Sequence, residues 1–161
     1  LLSELILATD KSARNMYWAI QDYQCDARLT PIPWDMDGTL GRNFAGSDHT
    51  SNATRDYRDF LRREGHQNAL FERLYKLDPN DWNAQMAKRY RQLRRTHFDP
   101  QRLSERITSL LHLMEQSGAH LREAQRWNNA NGLRINIPQE AEFIKAWITR
   151  RIAYLDTQYN M

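Results

Sequence analysis

The sequence is poor in the features that would place it in several common classes of protein. Cys25 is the only cysteine among 161 residues, so no disulfide can form within the chain and the redox compartment stays open. No apolar run approaches the roughly 20 residues that a membrane-spanning helix needs, so we expect no transmembrane segment. Hydrophobic residues make up 40% of the chain and charged residues 27%, which is typical of a globular domain with a sizeable core.

The start of the chain also lacks the usual signals. No methionine stands at position 1, and no signal-peptide pattern opens the sequence. The first residues, LLSELIL, have the spacing of the interior of a helix. We therefore expect residues 1–161 to form a single domain of a longer protein, with the motifs that carry chemistry in residues 8–41 and a helical region in residues 65–157. Localisation and oligomeric state stay open.

Charge is unevenly distributed along the chain. Residues 1–60 contain six Lys and Arg against nine Asp and Glu, whereas residues 61–161 contain seventeen against eleven. The acidic part suits a bound cation, and the basic part suits an acidic partner or a nucleotide. Because no aromatic stacking platform interleaves the basic run of residues 88–95 and no recognition motif surrounds it, a solvated helix face is the better interpretation, and we expect no nucleic-acid partner.

The hydrophobic pattern predicts a mainly α fold with a small β-hairpin. Residues 16–20 and 29–34 are rich in aromatic and apolar side chains, which predicts two short strands joined by a polar turn. Residues 35–54 show no period and predict a long functional or mobile loop. Helices are predicted near residues 68–77, 82–93, 100–117, 119–128 and 138–155, with a turn and an extended piece over residues 128–137.

Several large side chains can be assigned provisionally from these helical patterns. Trp82, Trp127 and Trp147 fall at apolar positions, which predicts that they lie in the core. Arg150 and Arg151 are expected at the surface or beside carboxylates.

The stretch DMDGTL, residues 35–40, admits two kinds of phosphoryl chemistry. It resembles the DxDGT nucleophile loop of haloacid-dehalogenase-like phosphatases. Such an enzyme needs a doubly wound sheet with alternating strands and helices, and a second acidic pair. After Gly41 the pattern is nearly all helical and contains no adjacent Asp-Asp pair, so the phosphatase is the less favoured interpretation.

A second motif lies upstream of this stretch. Asp10 and Asn15 have the D-x-x-x-x-N spacing of a kinase catalytic loop, in which the Asp orients the substrate hydroxyl and the Asn binds a metal ion. The predicted hairpin then leads to Asp35, where a kinase places another metal-binding aspartate. Taken alone, Asp10 can be a helix-end residue, and Asp35 with Asp37 can be a solvated turn. Their order along the chain favours the C-terminal lobe of a kinase.

The stretches ATDKSARNMYWAIQD and LTPIPWDMDGTLG resemble the spore coat protein H (CotH) kinase family. Looser similarity continues, in family order, through LFERL, KRYRQLRRTHF, AQRW and WITRRIAYLD. The resemblance implies an atypical protein-kinase-like C-terminal lobe that uses ATP and Mg²⁺ or Mn²⁺ to phosphorylate Ser or Thr of a protein substrate. It makes Asp10 catalytic, gives Lys11 a phosphate contact, and makes Asn15 a ligand of both nucleotide and metal. Asp35 and Asp37 become metal ligands.

The residues ahead of Asp10 depart from the kinase pattern. They contain neither a glycine-rich nucleotide loop nor a strand Lys that pairs with a helix Glu. We therefore expect this chain alone to have negligible kinase activity, whereas the parent protein can be active. The alternative from another class is a noncatalytic binding or coat-assembly module with the same fold. The resemblance is compatible with an exported, cell-surface or spore-coat location.

Overall fold

A computed structural model describes residues 1–8, 15, 17–22, 24–42, 52–61, 68–127 and 136–161. In chain order these contain helix α1 (Leu2–Leu5), strands β1 (Tyr17–Asp22) and β2 (Asp26–Ile32), and helices α2 (Tyr57–Leu61), α3 (Ala69–Leu77), α4 (Trp82–Arg94), α5 (Pro100–Gln116), α6 (Ala119–Trp127) and α7 (Ile137–Gln158). The expectation of a mainly α fold with one small hairpin is confirmed. None of the described helices is long and apolar enough to cross a membrane.

The two strands form an antiparallel hairpin in which Tyr17 lies opposite Ile32 and Ile20 lies opposite Leu29. The prediction of two strands is thus confirmed, but both extend further into the polar turn than the apolar pattern indicates. Trp18 is 40% exposed and Leu29 is 62% exposed. Because much of this hairpin stays open to water, polar residues can continue its ladder as well as apolar ones.

Side-chain caps explain where three of the helices begin. The Asn68 side chain accepts hydrogen bonds from two amides in the first turn of α3. Asp99 accepts from the amide of Arg102 at 2.9 Å, directly ahead of Pro100 in α5. Asn136 does the same for α7. A cap satisfies amides that have no partner within the helix, and an early proline has no amide to lose.

Helix α7 supplies much of the core. It packs against α5 and α1, and the face that it buries is apolar except for Arg151. The other core residues come from α1, α2, α4 and the segments beside them. The buried cluster consists of Leu5, Leu7, Ala53, Tyr57, Leu61, Tyr90, Phe98, Trp147, Ile148, Ile152 and Leu155. The expectation for Trp147 is confirmed.

Three sequence-based expectations differ from the structure. Helix α2 falls in a segment where no helix was predicted, because its five residues are too few to show a period. Ile137 begins α7 instead of ending an extended piece, since the cap at Asn136 starts the helix one residue before Pro138. Trp127 is 44% exposed, because α6 is only nine residues long and Trp127 is its last residue.

The basic residues of α4 make contacts within the chain. Arg91 Nη1 donates to the carbonyl of Tyr159 at 3.2 Å, and Arg94 Nε donates to the carboxylate of Asp156 at 3.1 Å. Arg89 donates to Gln92 on the same helix. Only the contact of Arg89 is local and exposed, as on a solvated helix face, whereas Arg91 and Arg94 make partly buried contacts with the C-terminal part of the chain.

Candidate functional site

The hairpin brings two of the sequence-predicted site residues to the same end of the fold. Asn15 precedes β1 and Asp35 follows β2, and the register pairs Tyr17 with Ile32 at that end of the ladder. Neighbouring strands lie about 5 Å apart, and Asn15 lines the same cavity as Pro33 and Met36 of the segment that follows β2. Asp37 follows Asp35 in the segment that leaves β2, residues 33–42, which we call the exit segment. Asp10 and Lys11 lie outside the described residues, and their roles stay predictions.

The backbone at this end of the hairpin adopts conformations that few residues tolerate. Asn15 has φ +51° and Asp35 has φ +52°, both in the left-handed region. Asn and Asp adopt this region more readily than other residues that carry a Cβ. Leu7 and Leu40 also have a left-handed backbone conformation, which leucine adopts less readily than Asn or Asp. This conformation costs roughly 1–2 kcal/mol of free energy at each leucine. Such strain is concentrated at functional sites in proteins generally, which supports a site here.

The segment after Asp35 is a hydrogen-bonded turn. Asp37 Oδ1 accepts from the amide of Gly38 at 2.8 Å, and Thr39 Oγ1 donates to the carbonyl of Met36 at 2.7 Å. Asp35 and Asp37 are both exposed. The turn holds their carboxylates beside water at the exit of β2, where an ion can reach them.

The donor set fits a hard divalent cation. Carboxylate and amide oxygens, as in Asp35, Asp37 and Asn15, are the ligands that Mg²⁺ and Mn²⁺ prefer. Within the described ranges, no group of three or more His, Cys, Asp or Glu side chains stands close enough to hold a metal ion. Asp10, which the family resemblance places at this site, is not among those residues.

A cavity of about 400 Å³ adjoins the hairpin. Asn15 and Met36 form part of its wall, next to the two ends of the hairpin. The remaining wall comes from both strands and from α1 to α4 and is mostly apolar, with Trp18, Phe71, Trp82 and Met86 among its larger side chains. Glu4 is the one formally charged side chain among the described lining residues. The candidate site therefore borders an apolar space that is large enough for a small ligand or a side chain.

The exit segment contacts the end of α1 and a side chain of α7. The amide of Leu40 donates to the carbonyl of Ile6 at 2.8 Å, which ties this segment to the end of α1. Gly41 follows, with φ +88°, and lies against the indole ring of Trp147. Only a residue without Cβ combines that φ with so close an approach.

A charged contact fixes the next residue of the same segment. Arg42 donates from Nε and Nη2 to the two carboxylate oxygens of Glu140, at 3.0 and 2.9 Å. Its guanidinium carbon lies 3.6 Å from the centroid of the Phe143 ring. Paired hydrogen bonds and ring stacking make this a geometry that Lys cannot reproduce.

A comparison with models of known protein families shows the family of this chain. A family model described as CotH kinase protein matches residues 1–155. The chain belongs to the CotH kinase family. The family resemblance in the two motifs is thereby confirmed over nearly the whole length. Searches of curated proteins and of solved structures gave no match.

In this CotH-family chain, Arg151 differs from its expected position at the surface or beside a carboxylate. It is 0% exposed, and its guanidinium donates to backbone carbonyls. Its neighbours on α7, Trp147 and Leu155, stand four residues before and after it and are buried as well. Because residues four apart share one face of a helix, the spacing from Trp147 was the available signal for a buried position.

Arg151 and Tyr159 both hold Glu4. Two nitrogens of Arg151 donate to the Glu4 carbonyl, and the Tyr159 hydroxyl donates to Glu4 Oε2 at 2.6 Å. Burial lowers the pKa of Arg151, and the negative charge of Glu4 opposes this effect. Burial, aided by the same carboxylate, raises the pKa of Tyr159. Sequence reasoning assigned no role to Glu4 or Tyr159, because their contact spans nearly the full chain.

Proposed function

We propose that this chain is the catalytic-lobe part of an ATP- and metal-dependent protein kinase that phosphorylates Ser or Thr. The observation that carries the proposal is the hairpin that joins the D-x-x-x-x-N motif to Asp35 and returns both ends to one side. Kinase chemistry needs such an arrangement, because the metal ligands must face the nucleotide phosphates together. Membership of the CotH kinase family supports the same reading.

The roles of the residues follow from their chemistry. Asp10 would accept the proton of the substrate hydroxyl, and Lys11 would contact a phosphate oxygen. Asn15, Asp35 and Asp37 supply the oxygens that would hold Mg²⁺ or Mn²⁺. When bound, the ion neutralises charge on the phosphates of ATP.

An aromatic contact supports the position of Asp35. The rings of Tyr17 and Trp34 meet edge to face, with centroids 5.7 Å apart. This contact joins the start of β1 to the residue directly before Asp35. It would restrict the directions in which the carboxylate can point, as a preorganised metal ligand requires.

The second candidate function is a noncatalytic binding module with the same fold. The hydrogen bond from the Gly38 amide to Asp37 favours it, since a carboxylate engaged in a turn has a local structural role. The apolar cavity beside Asn15 would then be the functional feature of the protein.

A single-turnover assay separates the two functions. The full-length protein is mixed with labelled ATP, Mn²⁺ and a Ser/Thr-containing protein acceptor, and nucleotide binding is measured in parallel. Asp35→Asn should abolish both transfer and metal-dependent nucleotide binding. Asp81→Asn is the matched control, because Asp81 is an exposed aspartate whose side chain makes no helix-capping hydrogen bond. Nucleotide binding that survives Asp35→Asn unchanged would count against the kinase assignment.

A further inference from the structure

Arg151 uses its buried guanidinium to join two separate segments of backbone. Nε and Nη2 donate to the carbonyl of Glu4 at 3.0 and 2.7 Å. Nη1 donates to the carbonyl of Ala53 at 3.0 Å and to that of Arg55 as well. Glu4 lies in α1, whereas Ala53 and Arg55 lie between the motif region and α2, so one side chain connects parts of the chain about 50 residues apart.

This arrangement is costly, which makes a purely space-filling role a poor explanation. Burying a cation requires the loss of its hydration, and an apolar side chain of similar volume is often neutral or stabilising in such a place. The carbonyls of Glu4, Ala53 and Arg55 recover part of that cost by accepting hydrogen bonds. Lys would offer one compact ammonium in place of the planar fork, and could not span both segments with the same geometry.

The two joined segments come before and after the candidate-site residues Asn15, Asp35 and Asp37 along the chain. From Glu4 the chain runs through Ile6 toward the D-x-x-x-x-N motif, and the Ile6 carbonyl accepts from the Leu40 amide at 2.8 Å. Ala53 is the next core residue after Arg42 in the described part of the chain. Arg151 therefore donates hydrogen bonds to one segment that precedes the hairpin in the chain and to one that follows it.

We propose that Arg151 is a positioning residue, which holds the α1 end in register with the segment around Leu40 and so keeps the two ends of the hairpin at metal-binding distance. The second part rests on the proposed function, whereas the register of α1 with Leu40 does not. A merely structural residue would lower stability without changing either the Leu40–Ile6 contact or the affinity for a metal ion.

The first test measures the Leu40–Ile6 contact directly. Amide hydrogen exchange of Leu40 is followed by NMR in the wild-type chain, in Arg151→Lys and in Arg151→Met. The control is Arg94→Met, which removes a guanidinium that joins α4 to α7 through Asp156, away from the motif segment. Leu40 should exchange about tenfold faster in the Arg151 variants relative to amides of α5, and at the wild-type ratio in the control. An unchanged ratio in both Arg151 variants overturns the proposal, and Arg151→Lys decides it if Arg151→Met does not fold.

The second test measures Mn²⁺ affinity by electron paramagnetic resonance well below the melting temperature of each variant. Arg151→Lys should weaken Mn²⁺ binding about tenfold, the usual effect of losing a residue that orients ligands, while Arg94→Met leaves it unchanged. Equal affinity in wild type and Arg151→Lys overturns the claim that Arg151 keeps the ends of the hairpin at metal-binding distance. Absence of Mn²⁺ binding by the wild-type chain contradicts the proposed function instead, and the exchange of Leu40 then decides the role of Arg151.

Discussion

Gly41 places its backbone against the indole ring of Trp147, so that a Cβ atom on this glycine would stand 2.5 Å from Cδ1 of the ring. Gly41 also has φ +88°, which L side chains rarely adopt. Gly41→Ala should therefore lower the free energy of unfolding by about 2–4 kcal/mol, because backbone strain and overpacking act together. Urea denaturation of the two proteins measures the difference.

Gly118→Ala is the matched control for that substitution. Gly118 has φ +67°, but an added Cβ would meet only the flexible end of Arg122 at 3.3 Å. Gly118→Ala should lower the free energy of unfolding by about 1 kcal/mol through backbone strain alone. Equal losses at the two positions would show that the contact with Trp147 does not constrain Gly41.

The contact between Arg42 and Glu140 should stabilise the exit segment measurably. A double-mutant cycle with Arg42→Ala and Glu140→Ala should give a coupling energy of about 1 kcal/mol, since the pair forms two hydrogen bonds and is partly shielded from water. The control cycle uses Lys145 and Glu142. Because the Glu142 side chain is 72% exposed, this cycle should give roughly 0.3 kcal/mol or less. Indistinguishable couplings in the two cycles would refute the bidentate geometry at Arg42.

Buried tyrosines should make the chain sensitive to alkali. Burial, aided by the negative charge of Glu4, raises the pKa of Tyr57 from 10.0 to about 12. The folded state then keeps a proton that the unfolded state loses, so the stabilisation is complete below pH 10 and falls as the pH rises through 12. Thermal melting followed between pH 8 and pH 12 measures this loss.

Substitution separates the contribution of Tyr57 from those of other groups. Tyr57→Phe removes the phenol and should reduce the alkaline loss of stability by about 1–3 kcal/mol. Tyr17→Phe, at an exposed tyrosine of β1, is the control for the effect on stability of removing one hydroxyl at neutral pH. A Tyr57→Phe profile that matches wild type would contradict the assigned role of this buried hydroxyl.

Much of the fold could be predicted because its signals are local. Asn68, Asp99 and Asn136 cap helices within three residues of their own positions, and the aromatic and apolar residues of β1 and β2 mark the strands. Helix α2 escaped prediction because its stability comes from burying Tyr57 and Leu61 against distant segments. Periodicity needs about two turns of helix to become visible, and α2 is shorter than that.

The candidate site divides in the same way. Motif spacing predicts Asn15, Asp35 and Asp37 as site residues, and their roles stay predictions. The hairpin between the two motifs places Asn15 and Asp35 beyond the same end of its ladder. Arg151 was misplaced because its partners are backbone carbonyls, which no sequence pattern specifies, in segments about 100 and 150 residues away. Contacts of that range are decided by the packing of the whole chain.

The 161-residue chain alone should not transfer phosphate at a measurable rate. Asp35, Asp37 and Asn15 would provide half of a nucleotide site, and kinase chemistry also needs a glycine-rich loop and a Lys–Glu ion pair. A single-turnover assay with labelled ATP on this chain and on the full-length protein tests this directly. Robust phosphate transfer by the 161-residue chain would contradict the proposal that this chain holds only half of the nucleotide site.

The most direct test of the kinase assignment is a crystal structure of the protein grown with Mn²⁺ and ATP, with data collected for anomalous scattering of manganese. The proposal predicts one manganese peak between Asn15 and Asp35, about 2.0–2.3 Å from an oxygen of each side chain. Asp10 should face the same ion-binding space. A fully occupied crystal in which manganese binds elsewhere, with Asp10 and Asp35 pointing apart, would contradict the assignment and leave the noncatalytic module.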